Sequence, residues 1–85
     1  MTDAAFEILD QLYFVASYDE ISDNVQVPDS ELCTNLKQLL EMGYIHCYFP
    51  DRDTEIAYNE ADFGKNCRQY FYLATKAGLI HHNSR

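Results

Sequence analysis

The middle of the chain combines the start, the face and the end of a helix with a following strand. Pro28 fixes φ at a helix entrance, and residues 29–31 are acids or capping residues that favour a first turn. The leucines that follow recur at helical spacing and lie on one face: Leu32, Leu36, Leu39 and Leu40. Gly43 supplies the left-handed residue that ends a helix, and residues 44–49 are rich in aromatic and β-branched side chains. This segment predicts a helix followed by a strand, and therefore an α+β fold.

Two further helices are predicted before this segment. Apolar residues recur at helical spacing over 3–17, with Thr2 as the candidate N-cap, which predicts a first helix over that range. A short second helix is predicted from Tyr18 or Asp19 to Asn24, since acids in a first turn suit the helix dipole.

A second strand is predicted over 69–74, antiparallel to the first, with a short helical turn over 76–80. Residues 50–68 lie between the two strands and are mostly polar. A structureless link of that length is long for a compact domain. We therefore expect a strand near 55–58 or a helical turn near 60–66.

Length and composition favour one domain. The chain has 85 residues, of which 47% are hydrophobic, enough for one modest core. No apolar run approaches the ~20 residues that cross a bilayer, and the N-terminus lacks the basic region of a secretory signal. We expect a single cytoplasmic domain over 1–85 that does not contact a membrane.

Charge is distributed unevenly along the chain. The net charge is −8, and residues 1–31, 32–64 and 65–85 carry −8, −4 and +4 respectively. Duplex DNA repels an acidic protein at long range, so only the last quarter can offer DNA an attractive face. Simple solubility explains the acidity equally well.

Cysteine and histidine spacing indicates neither a metal site nor catalysis. The three cysteines form no Cys-x-x-Cys pair, which argues against a disulfide framework or a zinc ribbon and favours buried thiols. The histidines have no partner at a catalytic spacing, and no glycine-rich phosphate loop is present. We expect no enzyme activity, no metal and no cofactor.

Three stretches resemble winged helix-turn-helix domains. Residues 17–32 resemble their second helix, turn and start of the third helix, and residues 36–45 resemble the L-x-x-L-x-x-x-G-x-I pattern that leads into the wing. Residues 72–78 resemble the Y-x-L-T-x-x-G pattern that closes the wing in MarR- and PadR-like transcriptional regulators, except that Ala74 stands where that pattern has Leu. The resemblance implies three helices plus an antiparallel β-hairpin wing, with the helix-turn-helix over 18–43 and the wing over 44–75, the latter carrying an insert at 50–68.

The resemblance also implies candidate DNA contacts, because the third helix of such regulators enters the major groove. Its exposed side chains are Ser30, Thr34 and Gln38 for base edges and Lys37 for a phosphate, while Lys65 and Arg68 in the wing can reach a backbone. One lysine on the helix is few for a DNA reader. We therefore expect a transcriptional-regulator-like dimer with weak or indirect DNA contact, or alternatively an acidic module that binds protein and not DNA.

One aromatic residue lies off the apolar stripe of the first helix. Phe14 shares the opposite side with Tyr18, and this pair either marks a partner surface or is covered by a later segment. Tyrosine and phenylalanine are enriched at interfaces, and two-fold dimers are the commonest assemblies. We expect a homodimer that uses these residues.

Overall fold

The structure, a computed structural model, describes residues 2–84. Over that range the chain is an α+β fold with five α-helices and one four-stranded antiparallel sheet in the order β1-β4-β2-β3. The helices are α1 (Asp3–Asp10), α2 (Tyr18–Asn24), α3 (Asp29–Glu41), α4 (Glu60–Asn66) and α5 (Lys76–Asn83). The strands are β1 (Ala16–Ser17), β2 (Ile45–Tyr48), β3 (Glu55–Ile56) and β4 (Phe71–Ala74). None of the helices in this range is long and apolar enough to cross a membrane.

The central strand pair is the one that the sequence predicts. β2 and β4 run antiparallel, with Ile45 opposite Ala74 and Tyr48 opposite Phe71. β1 extends the sheet on the far side of β4, and β3 extends it on the far side of β2. The predicted antiparallel pair is therefore confirmed, within a wider sheet.

The helices cover one apolar core together with the sheet. The four leucines of α3 are buried, as their helical spacing predicts. They meet apolar residues of α1, α2, the sheet and the connection between α1 and β1, among which these are fully buried: Ile8, Leu9, Leu12, Ile21 and Tyr72.

The first helix is shorter than predicted. α1 ends at Asp10, and the prediction of a helix to Ser17 is wrong. The backbone carbonyl of Leu12 accepts a hydrogen bond from the Ala74 amide at 3.0 Å, and Ala16 pairs with Tyr72 in the sheet. Because the apolar spacing of 12–16 fits a strand edge as well as a helix, pairing with β4 decides the conformation.

Ser17 belongs to a strand and also caps the next helix. Its hydroxyl accepts a hydrogen bond from the Glu20 amide, and the Glu20 carboxylate accepts one from the Ser17 amide, both at 3.1 Å. This capping box starts α2 at Tyr18, immediately after β1, with no loop between them.

The junction between α3 and α5 explains why glycine stands at positions 43 and 78 of the two sequence motifs. Gly43 has φ of 76°, which confirms the left-handed end predicted for the third helix. The Thr75 hydroxyl donates to the Gly43 carbonyl at 2.8 Å and accepts from the Gly78 amide at 3.0 Å. A β-carbon at Gly78 would overlap the Tyr44 carbonyl, so α5 packs closely here only with glycine. The helix that begins at this cap continues to Asn83, beyond the predicted turn.

Residues 50–68, called the insert from here on, contain both structures that the sequence offered as alternatives. β3 pairs with β2 and forms the edge of the sheet. The Asn59 side chain caps α4 by accepting from the Ala61 and Asp62 amides at 2.9 and 3.4 Å. Phe63 on α4 is buried in the core, so the insert is part of the packed domain.

Candidate functional site

The outer face of α3 presents two parallel rows of side chains. Ser30, Thr34 and Gln38 are exposed at four-residue intervals and form the open row, as the sequence predicts. Gln38 also lines a groove of about 590 Å³ between α1, α3 and α5, next to the stacked rings of Tyr44 and His81.

The second row, also at four-residue intervals, is tied to the insert and is called the seam. Each of its four members on α3 has its own partner in the insert. The pairs are Asp29 with Arg68, Cys33 with Cys67, Lys37 with Glu60, and Glu41 with Tyr58. Twelve residues of helix rise by roughly 18 Å, so the insert follows α3 over nearly its whole length. It runs antiparallel to the helix.

The seam begins at a charged node around Asp29. The Arg68 guanidinium pairs with Asp29 at 2.7 Å and lies 5.5 Å from the centre of the Tyr18 ring. The Tyr18 hydroxyl donates to Asp29 at 2.5 Å. This hydrogen bond and the Arg68 guanidinium hold the pKa of Asp29 below its ordinary value, while burial and Asp29 raise the pKa of Tyr18 to about 12.

The position of Tyr18 corrects the predicted partner surface. Tyr18 is only 2% exposed, because its ring packs in the core and its hydroxyl is bonded to Asp29. It therefore offers a partner almost no surface. Phe14, in contrast, is 83% exposed on the turn between α1 and β1, so no later segment of the described chain covers it.

Two of the three cations predicted to contact DNA are engaged within the seam. Lys37 pairs with Glu60 at 3.0 Å, and Glu60 raises the pKa of Lys37. Arg68 pairs with Asp29. Lys65 is exposed on α4 and, among residues 2–84, forms no ion pair with an acid. The structure therefore leaves Lys65 as the predicted backbone contact without a carboxylate partner.

The seam contains a disulfide that the sequence argument did not predict. Cys33 and Cys67 are bonded, with 6.0 Å between their Cα atoms, across 34 residues of sequence. The expectation of three unpaired thiols is wrong because spacing along a chain does not report contacts made by folding. Cys47 is free and buried, and burial raises the pKa of its thiol.

The loop between β2 and β3 is folded back onto the body of the domain. The Arg52 guanidinium donates to the Val15 carbonyl at 2.9 Å, pairs with Glu20 and lies 5.0 Å from the centre of the Phe71 ring. This arginine therefore holds the hairpin tip against β1 and α2 instead of extending into solvent.

Comparisons with known proteins add no family or relative. No protein-family model matches the chain, and neither a curated protein nor a solved structure matches it. Among the described residues, no three or more His, Cys, Asp and Glu side chains cluster in a way that could hold a metal ion.

Proposed function

We propose that the chain is a winged-helix domain of the transcriptional-regulator type that binds protein, with little or no direct DNA contact through α3. Its order of helices, the glycine at the end of α3 and the antiparallel β2–β4 pair support the winged-helix assignment. The insert then corresponds to an elaborated wing, packed back against the helix that would read DNA.

The seam is the observation that carries the proposal. A helix that enters a groove needs cations free to meet phosphates, because these contacts supply most of the affinity. Here the single lysine of α3 is paired with Glu60, and the same helix presents the carboxylates of Glu31 and Glu41. The open row adds only neutral hydrogen-bonding groups. Such a face suits a polar or basic protein surface.

A salt series with random-sequence duplex tests this proposal. We expect the dissociation constant of wild type for the duplex to exceed roughly 0.1 mM at physiological salt, which is weaker than typical non-specific binding. Tight binding that falls steeply with salt would overturn the proposal. In that event Ser30→Ala and Lys37→Gln should weaken binding and Asp23→Asn, an exposed change outside the seam, should not. The open row and Lys37 would then be DNA contacts.

A second copy of the chain is the partner that the surface of Phe14 supports. Phe14 is 83% exposed beside Tyr13, which is 44% exposed. The opposite charges of the two ends of the chain contribute less to dimerisation than the sequence suggests, because Arg68 and Asp29 already neutralise each other within one subunit. Apolar area at Phe14 therefore provides the main attraction in the proposed homodimer.

Sedimentation of wild type and Phe14→Glu at two salt concentrations tests the dimer. We expect wild type to self-associate and Phe14→Glu to be monomeric, with little dependence on salt. Ile80→Glu is the matched control, since Ile80 is 57% exposed on α5. A wild type that stays monomeric at high protein concentration would refute the dimer, and a dimer unaffected by Phe14→Glu would place its interface elsewhere.

A further inference from the structure

The two cysteines of the seam disulfide differ in how far each residue is exposed to solvent. Cys33 is half-buried on the outer side of α3, whereas Cys67 is 2% exposed. Thiol–disulfide exchange requires a thiolate to approach one sulfur directly, so access decides which sulfur is attacked. The exposure of the two residues therefore favours Cys33 over Cys67 as the side that a small thiol attacks in the folded protein.

We propose that the seam is a reversible thiol-exchange site, with Cys33 as the residue modified by a low-molecular-weight thiol such as glutathione and Cys67 as the resolving cysteine. This inference goes beyond the proposed function and does not depend on which partner α3 binds.

Opening and closing of the disulfide need only glutathione and its oxidised form as reactants. In opening, a thiolate attacks the Cys33 sulfur, a mixed disulfide forms there, and the Cys33–Cys67 bond breaks to release the Cys67 thiolate. A second thiol molecule then displaces Cys33 and leaves two protein thiols and one small-molecule disulfide. In closing, the Cys33 thiolate attacks oxidised glutathione and releases one glutathione. The Cys67 thiolate then attacks the mixed disulfide and releases the second.

The surroundings of Cys67 keep it in position to resolve the mixed disulfide. The Tyr72 hydroxyl donates to the Cys67 carbonyl at 2.8 Å and lies 3.5 Å from its sulfur. Tyr72 is fully buried, and burial raises its pKa, so the hydroxyl keeps its proton. The released sulfur therefore stays next to the Tyr72 hydroxyl, and the Cys67 amide is held by its hydrogen bond to the Phe63 carbonyl.

Opening the bond leaves the seam with weaker connections. The remaining pairs, Asp29 with Arg68, Lys37 with Glu60 and Glu41 with Tyr58, lie at the exposed surface, where such pairs contribute little. Phe63 still anchors α4 in the core. The insert should therefore stay folded but separate more often from α3, which exposes Lys37.

Glutathione mapping by mass spectrometry tests the assignment of the two cysteines. Folded Cys67→Ser treated with oxidised glutathione should accumulate an adduct at Cys33, whereas folded Cys33→Ser should remain unmodified at Cys67. Cys47→Ser is the control and should open and close as wild type does. Equal modification of Cys67, or an unreactive Cys33, would overturn the proposal.

Two measurements on wild type keep the proposal falsifiable if a variant fails to fold. Brief treatment with glutathione followed by acid quenching should trap the mixed disulfide at Cys33 and not at Cys67. Amide hydrogen exchange in α4 should be at least about tenfold faster in the reduced protein than in the oxidised protein, while exchange in β4 changes less. A disulfide that an excess of dithiothreitol opens only after denaturation would show a purely structural bond and refute the switch.

Discussion

The two sides of α3 are attached to the molecule by different kinds of interaction. On the inner side, four buried leucines pack against α1, α2 and the sheet. On the outer side, the insert is attached at discrete points by two ion pairs, one hydrogen bond and one disulfide. Apolar packing depends on area and is insensitive to pH or redox conditions, whereas each contact of the seam responds to one or the other. The comparison separates what holds α3 in the fold from what can regulate access to it.

The largest loss of stability should come from a substitution on the inner side of α3. Leu36→Ala removes a fully buried side chain, and a buried leucine truncated to alanine typically costs about 2–5 kcal/mol in the free energy of unfolding. Urea denaturation measures this loss. Thr34→Ala, exposed on the same helix, is the control and should change stability much less. A Leu36→Ala variant as stable as the control would mean that the inner side does not hold α3.

The next largest loss of stability should come from the charged node of Asp29, Arg68 and Tyr18, and it should depend on pH. The pKa of Asp29 is lowered in the folded state, so its contribution to stability is present above its ordinary value of 3.8 and is lost as the pH falls below it. Asp29→Asn should therefore be less stable than wild type at pH 7, and the difference should be smaller near pH ~3. Denaturation at both pH values tests this.

Asp23→Asn serves as the control for that measurement. Asp23 is exposed on α2 and outside the seam, so its substitution removes the same charge without breaking the node. A difference between Asp29→Asn and wild type that persists unchanged at low pH would show that the ion pair is not its source.

The smallest loss of stability should come from a substitution in the middle of the seam. Glu60→Gln removes the partner of Lys37, and exposed pairs of this kind shift the melting temperature by a few degrees at most. Asp62→Asn is the matched control, because both acids lie in the first turn of α4. A double-mutant cycle with Lys37→Gln isolates the pair. Coupling as large as the loss in Leu36→Ala would contradict the distinction between the two sides.

The inner side of α3 could be predicted from sequence because it follows a local rule. Leucine spacing, a proline before the helix and a glycine after it set the face and the limits of α3 within a residue or so. The predicted first helix was too long because the spacing of 12–16 satisfies both a helix and a strand, and only the partner strand β4 decides between them.

The outer side could be predicted only in part. Exposure of Ser30, Thr34 and Gln38 follows from helical geometry, so the open row was correctly placed. The partners of Lys37 and Cys33 lie more than 20 residues away in the chain, and no local pattern links them. One signal was present in retrospect: cysteine at 33, lysine at 37 and glutamate at 41 share a face with the spacing of a helix row.

Ser17 couples two structural choices that are usually independent. As a residue of β1, Ser17 pairs with Phe71 of β4, and it also caps α2 through its hydroxyl and its amide. A slip of β1 by one residue against β4 would turn its side chains to the other face and also move the cap away from the start of α2. An edge strand of two residues has few hydrogen bonds with which to define its own alignment. The helix that follows it supplies the missing information, so the alignment of this edge is set by where α2 begins.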